Sequence, residues 1–261
     1  MDLKLKGKTA LVCGASTGLG YAVAEALARE GCKVAINART PSDLRTAAEV
    51  LEKMTGAEIL PLPADVSVPD EVVRITKETE KAFGQVDIVL ANAGGPPPGP
   101  FLEHDHAVWV KAVETNLLST VSLFRSALPG MIDRRWGRLL VITSLSALEP
   151  IPGLILSSAA RAGVLGLVKA LSDEVAPNGV TVNAICPGMF HTKRLAHLWE
   201  ARARASGNPK EERVKAIQAI PTGRLGEPAE LAALATFLAS EQAAFITGQA
   251  IRIDGGQGRA I

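Results

Sequence analysis

Aromatic residues are scarce in this chain, and Tyr21 is the only tyrosine. Any chemistry that needs a phenol must use that one residue or do without it. Cysteine is also rare: Cys13, Cys32 and Cys186 stand far apart, and an odd number without metal-ligand spacing excludes a disulfide framework or a structural zinc site. Reduced thiols in a cytoplasmic protein are expected. Neither charge sign is in excess, since the formal net charge is +1 with both signs interspersed. This excludes an electrostatic footprint for nucleic acid or for an anionic membrane surface. No uninterrupted apolar run approaches the ~20 residues of a membrane span, and Arg125 interrupts the best candidate. The opening MDLKLKGKTALV has no apolar core of the signal-peptide kind. No linker, repeat or low-complexity tract divides the chain. His104 and His106 flank Asp105, but no third ligand accompanies them, so a solvated helix start is expected there and no metal.

What is present is a globular composition, 47% hydrophobic and 21% charged, with strand-like and helix-like runs in alternation. Strands are expected at 9–13 (TALVC), 33–37, 58–62, 87–91, 138–143, 180–185 and 250–253. Helices are expected from 21 to 29, from Pro41 to about Thr55, from Pro69 with Ser67 and Asp70 as a capping pair, from about His106 to Met131, and over 157–176. The strands are almost continuously apolar, as they are when helices cover both faces of a parallel sheet. The pattern predicts one doubly wound α/β domain over 1–261, with about seven parallel strands, helices on both faces and its ligand site at the carboxyl ends of the strands. The proline cluster of residues 95–100 follows a strand and reads as a stiff loop.

The run Gly14-Ala15-Ser16-Thr17-Gly18-Leu19-Gly20 joins the first strand to the first helix. A tight turn, a pyrophosphate approaching bare amides, and a helix packed close to the sheet each require glycine at such a place. The next strand ends in Asn37-Ala38-Arg39-Thr40 with no carboxylate to accept a ribose 2′-hydroxyl. Arg39 offers a charge-assisted fork to a 2′-phosphate, which favours NADP(H) and leaves NAD(H) open.

Several further motifs fall in order. Asn92-Ala93-Gly94-Gly95 follows the fourth strand, Asn116 lies in the long helical region, Ser144 follows the fifth strand, and Pro187-Gly188 follows the sixth. TGQAIRIDGG closes the series. The set resembles the short-chain dehydrogenase/reductase family, notably its 3-oxoacyl-acyl-carrier-protein reductase-like members, over nearly the whole chain. The resemblance implies a Rossmann-like fold, a nicotinamide cofactor, hydride transfer between nicotinamide and a carbonyl or alcohol substrate (the 3-oxoacyl thioesters included), and a homotetramer or homodimer. It also implies that Asp65 and Val66 contact adenine, that Gly14, Ser16, Thr17, Gly18, Leu19, Gly20, Asn92, Ala93 and Gly94 line the cofactor, and that Pro187, Gly188 and Thr192 border the nicotinamide. Asn116 would sustain a helix kink and a water chain.

The family's catalytic set is Asn, Ser, Tyr and Lys, with Tyr thirteen positions after Ser and Lys four further on. In this chain those positions hold Ser157 and Arg161, and the following AGVLGLVK keeps the register. The catalytic set read here is therefore Ser144, Asn116, Ser157 and Arg161. A serine hydroxyl is a far weaker acid than a phenol of pKa near ~10. Arg161 can hold ribose hydroxyls but cannot relay protons. Tyr21, on the first helix, is too distant to substitute.

Three readings stay open. The chain transfers hydride with a substitute proton donor, either a held water or His191. Alternatively, it binds NADP(H) but catalyses little, as a sensor or partner subunit. Or a different reaction has been grafted onto the fold. The stretch Met189–Gly226 departs from regular alternation and is read as a substrate cover. Phe190, Leu195, Leu198 and Trp199 give it an apolar side, and Lys193, Arg194, Arg202 and Arg204 give it positive charge. Apolar acyl substrates with an anionic handle fit that combination, and so does an amphipathic helix packed on its neighbours.

Overall fold

The computed structural model describes residues 1–196, 198–199 and 209–259. The strands are β1 (Thr9–Cys13), β2 (Lys33–Ala38), β3 (Ile59–Pro63), β4 (Ile88–Ala91), β5 (Gly137–Ile142), β6 (Val180–Pro187) and β7 (Ala250–Ile253). They form one sheet in the order β3-β2-β1-β4-β5-β6-β7, with every pairing parallel. The helices are α1 (Gly18–Arg29), α2 (Pro41–Thr55), α3 (Pro69–Phe83), α4 (His106–Val113), α5 (Ser119–Asp133), α6 (Ile155–Val175), α7 (Pro209–Gln218) and α8 (Pro228–Leu238). This is the Rossmann-like doubly wound arrangement. Strand order reverses between β1 and β4, so the loops leaving those two strands diverge and open a crevice at their carboxyl ends.

Side-chain alternation along the strands fills two cores. Ala10 and Val12 of β1 face a cluster with Val23 and Leu27 of α1, Leu44 and Leu51 of α2, and Leu231 and Leu238 of α8. Leu11 and Cys13 face the opposite cluster, with Val72 and Ile75 of α3, Leu123 and Phe124 of α5, and Val164 and Val168 of α6. Burying each such Leu, Ile, Val or Phe side chain contributes about 1.5–3 kcal/mol. The site residues therefore stand on a sheet held from both faces.

Two local expectations are corrected, and a third is refined. Val68, in extended conformation, occupies the N-cap position of α3, and no side chain caps it. Ser67 instead donates from its backbone N–H (2.9 Å) and hydroxyl (2.7 Å) to Asp65 Oδ1, because an aspartate two residues back closes a local turn at lower cost than a helix cap. The helical region expected from about His106 to Met131 runs without a break from His106 to Asp133, and the kink implied at Asn116 takes the form of a π turn, Glu114–Leu118, between α4 and α5. The best candidate for a long apolar segment is also not the one around Arg125. Ile155–Asn178 has the length and mean hydropathy of a span, and its Leu156, Ala160, Arg161, Val164 and Val168 are buried.

Candidate active site

Two adjoining clefts, of about 580 Å³ and about 310 Å³, lie at the carboxyl ends of the strands. They share Gly14, Thr17 and the loop 92–95. The larger runs out towards the end of β2, where Ser16, Asn37, Arg39, Asp65 and Val66 line it, and also reaches Asn116. The smaller holds Gly18, Leu19, Ser144, Ser157, Arg161, Pro187, Gly188 and Thr192.

Backbone geometry makes the cradle. Gly14 has φ +60°, and a Cβ there would sit 2.6 Å from Asn92 Nδ2. A Cβ on Gly20 would sit 2.3 Å from the Gly14 carbonyl oxygen. Gly20 is buried and does not line the cleft, so its part in the cradle is to let α1 pack under the turn. Thr17 precedes α1 in extended conformation and makes no side-chain cap, which leaves the first-turn amides to whatever occupies the cleft. Asn92 Nδ2 donates to the carbonyls of Cys13 and Gly14, 3.3 Å each, and so ties the end of β4 to the glycine turn. Asn37 Nδ2 similarly holds the Leu62 and Ala64 carbonyls, at 2.9 and 3.2 Å.

Arg39 is exposed at the outer lip. Burial pushes the Asp65 carboxyl up, but the hydrogen bonds from Ser67 and the charges of Lys111 and Arg39 outweigh it and hold the group below its ordinary value. The lip thus carries an ionised aspartate and two cations. Uncapped amides, a Cβ-intolerant floor and a basic lip fit a dinucleotide with an additional phosphate.

At the other end, Ser144 follows β5 and Ser157 lies in the first turn of α6. Ser144 Oγ accepts two hydrogen bonds from Ser146, one from the backbone N–H (3.1 Å) and one from the hydroxyl (3.0 Å). Ser146 Oγ also lies 3.2 Å from Ser157 Oγ. With its oxygen receiving two donors, the Ser144 hydroxyl is left to donate its own proton into the cleft. Ser157 is 8% exposed, and its hydroxyl ends this short chain.

Arg161, also 8% exposed, is fastened to backbone. Its Nη1 donates to the carbonyls of Ile142 (3.0 Å) and Thr143 (2.8 Å), and its Nη2 to that of Ala93 (3.3 Å). Burial, and then the neighbouring Arg194, push its guanidinium down to about 10. It therefore stays charged through neutral pH with part of its donor fork already used.

Asn116 sits inside the π turn. The turn gives its Nδ2 a bond to the Ala112 carbonyl (3.1 Å) and leaves its buried Oδ1 without a protein partner. A widened turn that leaves one buried acceptor unsatisfied, on a residue lining the larger cleft, has the local form of a functional kink.

His191 does not face this site. It is about half exposed, its Nε2 lies 3.5 Å from Glu227 Oε1, and it is absent from the lining of both clefts. Its backbone N–H bond to Gly226 fixes the loop in that sense. Tyr21 packs against the first core and stands outside both clefts. Asp105 caps α4 through Val108 N–H, consistent with a helix start. Of the cover segment, Phe190, Lys193, Arg194, Leu195 and Leu198 line the smaller cleft. Phe190 is buried against Gly226. Trp199 lies under the Arg213 guanidinium, 4.9 Å from the ring centre. Arg202 and Arg204 lie outside the described residues.

Sequence reasoning missed Ser146, whose only signal was a second hydroxyl two residues beyond Ser144. It also missed Lys111, which lines the larger cleft and donates to Ser67 Oγ at 2.8 Å.

Known reductases resemble this chain over most of its length. Residues 14–257 match a family model described as Enoyl-(Acyl carrier protein) reductase. The 3-oxoacyl-[acyl-carrier-protein] reductase of Vibrio cholerae is 35% identical over 254 residues, 97% of this chain and 98% of the relative. The L-sorbose reductase of Gluconobacter frateurii, solved with NADPH and L-sorbose, superposes with a TM-score of 0.94 at 29% identity over all of both chains. An NADPH-dependent reductase involved in bacilysin biosynthesis superposes with a TM-score of 0.92 at 29% identity, over 97% of this chain and 99% of the other.

Proposed function

The chain belongs to the short-chain dehydrogenase/reductase family, and on that footing we propose that it is an NADP(H)-dependent oxidoreductase acting on a carbonyl or alcohol carbon of the 3-oxoacyl class. The observation that carries the reading is the cradle, whose Gly14 and Gly20 leave no room for a Cβ beneath uncapped α1 amides. NADPH bound in the related L-sorbose reductase and the NADPH dependence of the reductase of bacilysin biosynthesis support the choice of cofactor, and Arg39 supplies the charge for a 2′-phosphate. When bound, the nicotinamide supplies or takes the hydride. The cradle amides and the loop Asn92–Gly94 would hold the nucleotide, with Pro187, Gly188 and Thr192 beside its nicotinamide. Asn116 Oδ1, buried without a protein partner, would accept a hydrogen bond from a water. The usual homotetramer or homodimer of the family goes with this reading.

Ser144 is the donor to the substrate oxygen. Two hydrogen bonds onto its Oγ polarise its own O–H, and that donor stabilises negative charge developing on the oxygen. Ser157 and Arg161, standing where the family places Tyr and Lys, do not deliver a proton at neutral pH: one is a weak acid and the other keeps its charge up to about 10. The proton comes from solvent water. Without a general acid, turnover is about 10²–10⁴-fold slower than with one.

A second reading is a nucleotide-binding sensor or partner subunit with little turnover. It is favoured by Arg161, whose hydrogen bonds go to three backbone carbonyls. Titration with NADPH and NADH, followed by assays of NADPH consumption on 3-oxoacyl thioesters and simple ketones, separates the two. Preferred NADPH uptake with slow consumption is expected. Tight uptake without consumption establishes the second reading, and uptake of neither nucleotide overturns both.

A further inference from the structure

The smaller cleft has an uncompensated charge. Its titratable lining residues are Arg161, Lys193 and Arg194, all basic, and no carboxylate lines it among the described residues. Arg161 and Arg194 are fastened to the same loop. Arg161 Nη2 donates to the Ala93 carbonyl at 3.3 Å, and Arg194 Nη2 to the Pro96 carbonyl at 2.7 Å. A Cβ on Gly95, between those two carbonyls, would lie 2.9 Å from Arg194 Nη2, so the guanidinium lies directly over that glycine.

Two guanidinium groups held near one another by neutral carbonyls, with no carboxylate lining the cleft among the described residues, repel each other and lose hydration. Each feels that cost as a lowered affinity for its proton, Arg161 through burial and then Arg194, and Arg194 through burial. An anion entering between them removes the repulsion and takes up the donors the carbonyls leave unused. Leu154, Leu195 and Leu198 give the rest of the cleft an apolar wall.

We propose that this cleft selects the free carboxylate of a small oxo acid, held by Arg194 with Arg161 behind it, in preference to a carrier thioester. The proposal rests on the oxidoreductase reading and specifies which form of the 3-oxoacyl group enters. A guanidinium fork matches a carboxylate in a bidentate pair, whereas a thioester offers only one weak carbonyl acceptor. The same chemistry would also suit a phosphate of the nucleotide, so the test must separate the two sources.

The probes are 3-oxobutanoate, its methyl ester and its N-acetylcysteamine thioester. Calorimetry measures their binding to the protein alone and to the protein with NADP⁺, and NADPH affinity is measured alongside. The acid is expected to bind about 10- to 100-fold tighter than either neutral probe. Arg194→Gln is expected to abolish that preference while leaving NADPH affinity unchanged. Equal binding of the three probes to the wild-type protein overturns the proposal without needing a variant. Loss of NADPH affinity in Arg194→Gln with the acid preference intact also overturns it, by assigning the guanidinium to the nucleotide. If neither nucleotide binds but the acid preference holds in the protein alone, the oxidoreductase reading fails and the anion site stands. If thioester is reduced and the acid is not preferred, the reading stands and the anion site fails.

Discussion

The two ends of the crevice are built on different principles. Around the glycine turn, function resides in the backbone. The requirements there are a missing Cβ at Gly14 and Gly20 and amides left open at the start of α1. Beyond β5 it resides in side chains, with partners both near and far in sequence. Ser144 depends on Ser146, and Arg161 depends on carbonyls as far away as Ala93. A backbone site tolerates almost no local substitution. A side-chain site can be rewritten residue by residue while the scaffold persists. That contrast lets a backbone cradle persist whatever hydroxyls and guanidiniums stand at the other end.

The contrast is most severely tested at Gly20. An added methyl would meet the Gly14 carbonyl oxygen at 2.3 Å, so Gly20→Ala is expected to reduce NADPH affinity at least ~100-fold by misplacing the turn. Nucleotide fluorescence titration measures the loss, and circular dichroism checks that the fold persists. Retained affinity would show that the turn has slack and erase the distinction. At the other end, Ser144→Ala is expected to lower kcat about 10²–10³-fold, the effect of removing one oxyanion donor, with the NADPH dissociation constant unchanged. A change in nucleotide affinity instead would show the two ends to be one site. Arg39→Ala is expected to weaken NADPH about 10- to 100-fold and leave NADH unaffected, measured by parallel titrations. It is the one place in the cradle where a side chain, not backbone, is expected to decide.

A separate effect, small near neutral pH, concerns the sheet beneath both ends. Burial pushes the Cys13 thiol up to about 12, and burial with the Asp87 and Glu30 charges does the same for Cys32. Between pH 9 and 12 the unfolded chain has released these protons and the native chain has not. Their contribution to stability is therefore complete below pH 9 and falls as pH rises towards 12. Denaturant midpoints should decline over that range, less so in Cys13→Ala. Iodoacetamide should leave the native thiols unmodified at pH 8.

Much of this molecule was legible in order along the chain. The β1 bounds, the glycine turn, the Arg39 lip and the positions of Ser144 and Asn116 follow from periodicity, turn chemistry and the family pattern, which are local signals. What was not legible depends on partners brought together by the sheet. Nothing near residue 161 announces carbonyls at 93, 142 and 143, and nothing near His191 announces Glu227. The resemblance implied a kink at Asn116, but its π form was not legible, because the extra width of Glu114–Leu118 appears only in the hydrogen bonding. Ser67 misled because two residues competed for it and the aspartate prevailed.

The grip of Arg161 on three carbonyls has a bearing on attempts to rebuild the site. A lysine at 161 would bring one ammonium where a planar fork now spans the ends of two strands, and a tyrosine introduced at 157 would arrive over a floor already loosened. Grafting a conventional proton-donor pair onto this scaffold therefore behaves as a ratchet: the single exchanges go downhill before the double can climb, and the loop between β4 and α4 must be re-anchored as part of the same step.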